Sequence, residues 1–98
     1  MTDNEYKQLK SDFVDAMQHP SVRRIVQRFV VQSGMYDSAF RPDPHATAFA
    51  AGWADAGKWW VANIREFCEH FEPQMRAELT RHFNELKRIE QREKEAKE

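Results

Sequence analysis

One cysteine, Cys68, three glycines and four prolines are all that 98 residues contain of these types, and each scarcity excludes something. A lone thiol has no partner within the chain, which removes a disulfide framework and fits a reducing cytoplasm better than a secreted scaffold. Few breakers leave few places to turn: Pro20, Gly34, the Arg41-Pro42-Asp43-Pro44 cluster and Pro73, with Gly52 and Gly57 inside an otherwise helical pattern. Neither sign of charge dominates, since 15 Lys and Arg oppose 16 Asp and Glu for a net charge of -1. No global field therefore draws the molecule onto nucleic acid or an anionic membrane. Long hydrophobic runs are missing too. The stretch Ala46 to Ala54 is broken by Thr47 and followed by Asp55 and Lys58, far short of the roughly 20 apolar residues of a membrane span. Met1 to Lys10 is polar where a signal peptide is apolar, so neither a span nor a targeting segment is expected.

What is present suits one globular domain. Apolar residues make up 41% and aromatics 12%, enough for a core, while 32% charged residues keep much of the surface wet. From about Asn4 to Gln18, Tyr6, Leu9, Phe13 and Met17 fall on one helical stripe, with Lys7, Lys10, Asp12 and Asp15 around it. Pro20 suits the first position of a second helix whose apolar face is Val22, Ile25, Val26, Phe29 and Val30, and Gly34 offers a left-handed stop. The β-branched residues there also suit a strand, but their spacing of three and four favours helix. Met35 to Pro42 reads as a loop whose Tyr36 and Phe40 lie down over the core.

Asp43 and Pro44 form a cap-then-proline signal for a third helix running to about His70. Along it Ala46, Phe49, Trp53, Gly57, Trp60, Ile64, Phe67 and Phe71 recur at three and four residues, an apolar stripe expected to face the core. Small residues beside it, Ala50, Ala51, Gly52, Ala54 and Gly57, predict close approach of another helix, which would offset the helix-propensity cost of two glycines, about 1 kcal/mol each. Glu72 and Pro73 repeat the cap signal, and Met75, Leu79, Phe83, Leu86 and Ile89 mark a fourth helix. The charged run from Glu90 to Glu98 reads as a solvated helical or frayed tail, with Glu90–Lys94 and Glu93–Lys97 at favourable spacing. The expectation is an all-α bundle of about four helices, with a long central third helix packed on the other three, a domain over residues 1–89 and a tail over 90–98.

Chemistry-bearing patterns are few. The chain has no P-loop, no glycine-rich nucleotide fingerprint, no nucleophile elbow and no HExxH pair. Cys68 and His70, two apart, point about 200° from one another on a helix and do not share a metal. Cys68 beside Phe67 and Phe71 reads as a small hydrophobe, and His19, His70 and His82 as helix-end or surface residues. No catalytic residue, cofactor or metal is expected. Arg23, Arg24, Arg28 and Arg41 form a modest basic face that Asp12, Asp15 and Asp37 offset, so it reads as a solvated ion-pair surface and nucleic acid as an unfavoured partner. Trp59 stands out, because it points about 100° from its neighbour Trp60 and either widens the core or stands at the surface. Tryptophan is enriched at interface hot spots. Trp59, Tyr36, Arg24 and Arg28 are thus the candidate interface residues, and Phe49, Gly52, Trp53, Gly57 and Trp60 the candidate helix-packing motif.

The stretch Ser33 to Val61 carries a more particular pattern: Gly34, Tyr36, Ser38 and Phe40, a Pro-Asp-Pro linker, then Thr47, Ala48, Phe49, Gly52, Gly57 and Trp59. It resembles a small family of tailed-bacteriophage proteins first described in a Bordetella phage, in which a valine- and arginine-rich helix ending in glycine precedes an aromatic-serine-phenylalanine loop and a Thr-Ala-Phe-x-x-Gly-x-x-x-x-Gly-x-Trp helix. The resemblance spans about residues 13 to 75. Where family members often carry an arginine pair between the two glycines, this chain has Trp53, Ala54, Asp55 and Ala56. The resemblance implies a phage gene product encoded among portal, scaffold and capsid genes, with no catalytic residues attached. The expected function is an accessory protein of the virion or its assembly, at the head or head-tail vertex, acting by protein-protein contact with a phage structural protein. The alternative is a phage protein that binds and redirects a bacterial host factor. A homo-oligomer is expected, as is residence in the host cytoplasm during infection, with the virion as a second location.

Overall fold

Thr2 opens the first helix with a reciprocal cap, its hydroxyl accepting from the Glu5 amide (3.2 Å) and the Glu5 carboxylate accepting from the Thr2 amide (2.9 Å). In the computed structural model, which describes residues 1–97, four helices follow: α1 (Asp3–Met17), α2 (Pro20–Gln32), α3 (Pro44–Cys68) and α4 (Phe71–Lys97). The chain is all-α among the described residues. Pro20 starts α2, and Gly34 at φ 74 supplies the left-handed residue after its end. Asp43 caps α3 by accepting from the Ala46 amide (3.2 Å), with Pro44 in the first position. The fourth helix begins at Phe71, not at the Glu72-Pro73 signal, because only Glu69 and His70 separate it from α3. Its Pro73 still falls in the first turn, where no amide is needed. The charged tail continues as helix through Lys97, and Glu98 lies outside the described residues.

The long α3 packs against α1, α2 and α4, and α2 also packs against α1 and α4. The shared core is Phe13, Met17, Val26, Val30, Val61, Ile64, Cys68, Phe71 and Met75. Into it α2 inserts Arg23, 7% exposed. Its guanidinium donates to both Glu78 carboxylate oxygens (2.9 and 3.0 Å) and to the Met17 carbonyl (2.7 Å), and it lies 5.3 Å over the Phe71 ring. One side chain thereby ties α2 to α4 and to the carbonyl end of α1, where a cation is favoured. Arg23 is therefore a core residue, not part of the expected solvated basic face. Burying it also rotates α2, so Ile25, two positions on and about 200° away, is 68% exposed instead of lining the core. A second clasp closes the α3–α4 corner: the Glu72 carboxylate accepts from Arg65 (2.6 and 2.7 Å) and Arg76 (2.7 Å).

The core stripe of α3 differs from the expected one. Buried positions of α3 are Ala54, Gly57, Val61, Ile64 and Cys68, so within this helix only Gly57 and Ile64 of the expected stripe are buried, joined by Phe71 at the start of α4. Small residues face the crossing and the aromatics straddle it. A Cβ built on Gly57 would lie 2.8 Å from Ser33 Cβ and nearer still to Ser33 Oγ, which is the close approach expected there. Nothing comes within 4 Å of a Cβ on Gly52, however, and Phe49 (70%) and Trp53 (47%) are exposed. Three of the five packing-motif residues thus lie outside the core; of these Trp53 reaches the flank of α2, its ring 6.0 Å from that of Phe29 at centroids, and still remains half in water. Trp60 and Phe67 are half-buried, each with its ring 5.7 Å from that of Phe13.

Tyr36 and Phe40 do not lie over the core either; they are 50% and 75% exposed. Polar bonds hold their loop against the start of α3 instead, with the Arg41 amide donating to Thr47 Oγ1 (2.8 Å) and Thr47 Oγ1 donating to the Arg41 carbonyl (3.0 Å). On α4 the last buried residue is Leu79, and Phe83, Leu86 and Ile89 are 41%, 43% and 41% exposed. The helix runs on beyond the body. Extents of 61 × 40 × 16 Å and a radius of gyration of 17.4 Å record this overhang, against about 13 Å for a compact chain of this length.

Three consequences are measurable by thermal and chemical denaturation. Gly52→Ala raises stability by about 0.5 to 1 kcal/mol, because a helical glycine with open space loses only backbone entropy, while Gly57→Ala lowers it by about 1 to 3 kcal/mol through overpacking. Equal effects from the two would refute the assigned phase of α3. Arg23→Ala costs about 3 kcal/mol by leaving a largely buried carboxylate unpaired. Hydrogen bonds from Arg23 hold the Glu78 carboxyl below its usual range, and those from Arg65 do the same for Glu72. A lowered folded value stabilises at pH above the unfolded value, about 4.3, and that stability disappears as pH falls through the folded values. Glu78→Gln accordingly melts lower at neutral pH and shows a shallower decline between about pH 5 and 3; an unchanged acid slope would show that Glu78 carries no such linkage.

Candidate protein-interaction surface

Adjacent tryptophans on α3 necessarily diverge, and α1 lies against the angle between them. Trp59 and Trp60 meet edge to face, with ring centroids 5.2 Å apart and planes at 88°. Both also touch Phe13, at 5.8 and 5.7 Å, arrangements that aromatic quadrupoles favour. Trp60 continues inward. Trp59 remains 51% exposed, so the sequence alternatives of core edge and surface are both realised in one side chain. The Asn63 side-chain amide donates to the Trp59 carbonyl (2.8 Å) at the next turn.

Between these rings and α1 opens a crevice of about 260 Å³, lined by Leu9, Phe13, Ala16 and Met17 of α1, Val22 of α2, and the two indoles. Its lining is almost wholly apolar. Asp12 supplies the one carboxylate at its edge and accepts from the Gln8 side chain (2.9 Å). Such a site can desolvate an aliphatic or aromatic side chain and pair a cation with Asp12 at the rim, and its lining sets no nucleophile or oxyanion donor beside that carboxylate. Cys68 is buried, and desolvation pushes its thiol up from the usual range, so it stays protonated at neutral pH. Among the described residues no three His, Cys, Asp or Glu side chains gather as a metal site, and no helix is long and apolar enough to cross a membrane.

The other expected interface residues go elsewhere. The Tyr36 ring lies under Arg76, 5.2 Å from its guanidinium, and its hydroxyl accepts from Arg76 (3.2 Å), beside the Glu72 clasp. Arg28 covers the Phe83 ring at 5.1 Å, and Arg24 lines a polar cleft with Arg81, His82, Glu85 and Arg88. Trp59, Tyr36 and the two arginines therefore do not converge. The sequence reading missed Phe49, Trp53 and Phe40 as exposed aromatics. Phe49 and Trp53 flank a shallow groove of about 560 Å³ that reaches Ser33, Gly34 and Ala39. The signal available was the cluster Ala48, Gly52 and Ala56, small residues recurring every four positions around a shallow surface depression in which, among the described residues, a Cβ on Gly52 meets nothing within 4 Å.

Comparison with family models, curated proteins and solved structures finds no match to this chain.

Core and surface roles of the aromatics separate by substitution. Phe13→Ala lowers stability by about 3 to 5 kcal/mol, as expected for a buried ring contacting both tryptophans. Trp59→Ala, whose ring is half in water, costs less than half as much, read from chemical denaturation midpoints. Equal losses would place Trp59 in the core and remove the crevice as a surface feature.

Proposed function

We propose that this chain is a bacteriophage accessory protein of the virion or its assembly, acting at the head or head-tail vertex by protein-protein contact, and that it self-associates. The lineage is supported by the residue pattern from Gly34 to Trp59. Several of those residues have local structural work: Gly34 ends α2 in the left-handed conformation, Thr47 ties the loop to α3, and Gly57 admits Ser33. Tyr36, Ser38 and Trp59 add contacts to Arg76, the Phe40 amide and Phe13, while Phe40 and Phe49 stand largely in solvent.

The observation that carries an interaction function is that the same stretch presents Phe40, Phe49, Trp53 and Trp59 to solvent. Their exposure contributes nothing to folding and invites a partner, since large apolar patches on soluble proteins mark contact sites. The apolar crevice at Trp59 has the form of an anchor pocket, in which a partner's apolar side chain is buried and a surrounding rim excludes water. Self-association is supported by the unburied Phe83, Leu86 and Ile89 on the overhang of α4.

Mass spectrometry of purified virions is the direct test. Stoichiometric peptides from this chain in particles are the expected result, with Trp59→Ala reducing incorporation at least tenfold while leaving the fold intact by circular dichroism. Absence from particles, together with a bacterial protein retained in a defined complex, would replace the virion role with the host-directed one.

A further inference from the structure

The exposed part of α4 has a heptad pattern, with Leu79, Leu86 and Glu93 at a, and His82 and Ile89 at d. Leu79 is already buried in the body, so the free seam runs from His82 to Glu93. Glu85 and Arg92 occupy the g positions flanking it, and Phe83, Glu90 and Lys97 the e positions. Among the described residues nothing buries Leu86 and Ile89, which are 43% and 41% exposed.

We infer that α4 pairs with α4 of a second copy in antiparallel orientation, centred between Leu86 and Ile89. Charge decides the direction. In a parallel pair the g residue of one helix faces the following e residue of the other, which would set Glu85 against Glu90 and Arg92 against Lys97, and would stack Glu93 on Glu93 in the seam. Every charged contact would be repulsive. In the antiparallel pair Leu86 meets Ile89 of the second copy, twice by symmetry, and g faces g, so Glu85 meets Arg92 on both sides. His82 then meets Glu93 of the second copy. That carboxylate, which makes no ion pair among the described residues, arrives beside the cleft lined by Arg24, Arg81 and Arg88.

Within one copy Glu85 binds Arg88 (3.2 Å) and approaches Arg92 (3.8 Å), all three largely exposed, so they can exchange partners without unfolding. The seam is short, about 18 Å for twelve residues, which makes this a weak dimer of the transient class. The inference rests on the self-association part of the proposal above and is independent of the phage lineage.

Sedimentation equilibrium of the full chain from about 10 μM to 1 mM, a range that populates even weak dimers, tests it with two single variants, Glu85→Arg and Arg92→Glu. Circular dichroism checks that both retain wild-type helicity. The wild type should dimerise, and each variant alone should dimerise at least tenfold more weakly, because its g residues become alike. An equimolar mixture of the two should recover the wild-type dimer, since the arginine introduced in one copy then faces the glutamate introduced in the other, while the native Arg92 faces the native Glu85; no effect within a single chain produces that rescue. A tighter dimer from Glu85→Arg would overturn the antiparallel orientation, because only a parallel pair gains a contact between the new arginine and Glu90. A wild-type dimer indifferent to both variants would place self-association on another face. A monomer throughout would remove self-association and this inference together.

Discussion

Through the Arg23 guanidinium three helices, α1, α2 and α4, are mutually positioned. A bidentate bond to Glu78 fixes direction as well as distance, and the third bond to the Met17 carbonyl sets where α1 ends relative to both. Hydrophobic contacts alone tolerate sliding and rotation, whereas a buried planar fork does not. The desolvation of such a pair offsets much of its attraction. Its main consequence is therefore geometric: α2 sits with Arg23, Val26, Gln27 and Val30 inward and Ile25 outward, and α4 is anchored through its first turns alone.

That anchoring leaves the crossing of α2 and α3 to small residues. Ser33 against Gly57 brings the backbones close, and Ser33 can be buried because its hydroxyl donates to the Val30 carbonyl. Close approach has a cost for large neighbours. The aromatics adjacent to the contact cannot enter it and are displaced to its flanks, where Trp60 and Phe67 find Phe13, and Trp59 reaches half into water. The apolar crevice is thus a by-product of how α3 meets its neighbours, not a separate construction.

Element boundaries were legible in the sequence because their causes are local. Pro20, Gly34 and the Asp43-Pro44 pair act within a turn of their own positions, and the structure places the helices where those signals stand. The phase of each buried face was less legible, since a stripe at three and four residues has neighbours one residue to either side that satisfy the same spacing. Choosing between Trp53-Gly57-Trp60 and Ala54-Gly57-Val61 requires knowing how closely the partner helix approaches, and that depends on Ser33, more than twenty residues away in sequence. Arg23 was illegible for the same reason: its partner Glu78 is 55 positions distant, and nothing near Arg23 distinguishes it from Arg24. Of the candidate surface, Trp59 was readable because adjacency to Trp60 forces divergence, while Phe49 and Trp53 were assigned inward by a periodicity that holds only where something covers the helix.

Length mismatch explains what remains. Helices of 25 and 27 residues are covered by helices of 15 and 13, so α3 and α4 span about 37 and 40 Å against about 20 Å for α1 and α2. Overhang is then unavoidable, and its side chains report what solvent alone would select. Beyond Ile89 the answer is polar, an alternation of Glu, Arg and Lys with no apolar stripe. Before it, at Phe83, Leu86 and Ile89, and at Phe49 and Trp53 on α3, the overhangs stay apolar. A helix whose end needed only to be soluble could be as polar as the last turns of α4, where only Gln91 and Ala96 interrupt the charges of 90–97. Apolar residues on the overhangs hold surface that the described residues leave in water, and that unburied area is the observation on which the proposed contact with another protein rests.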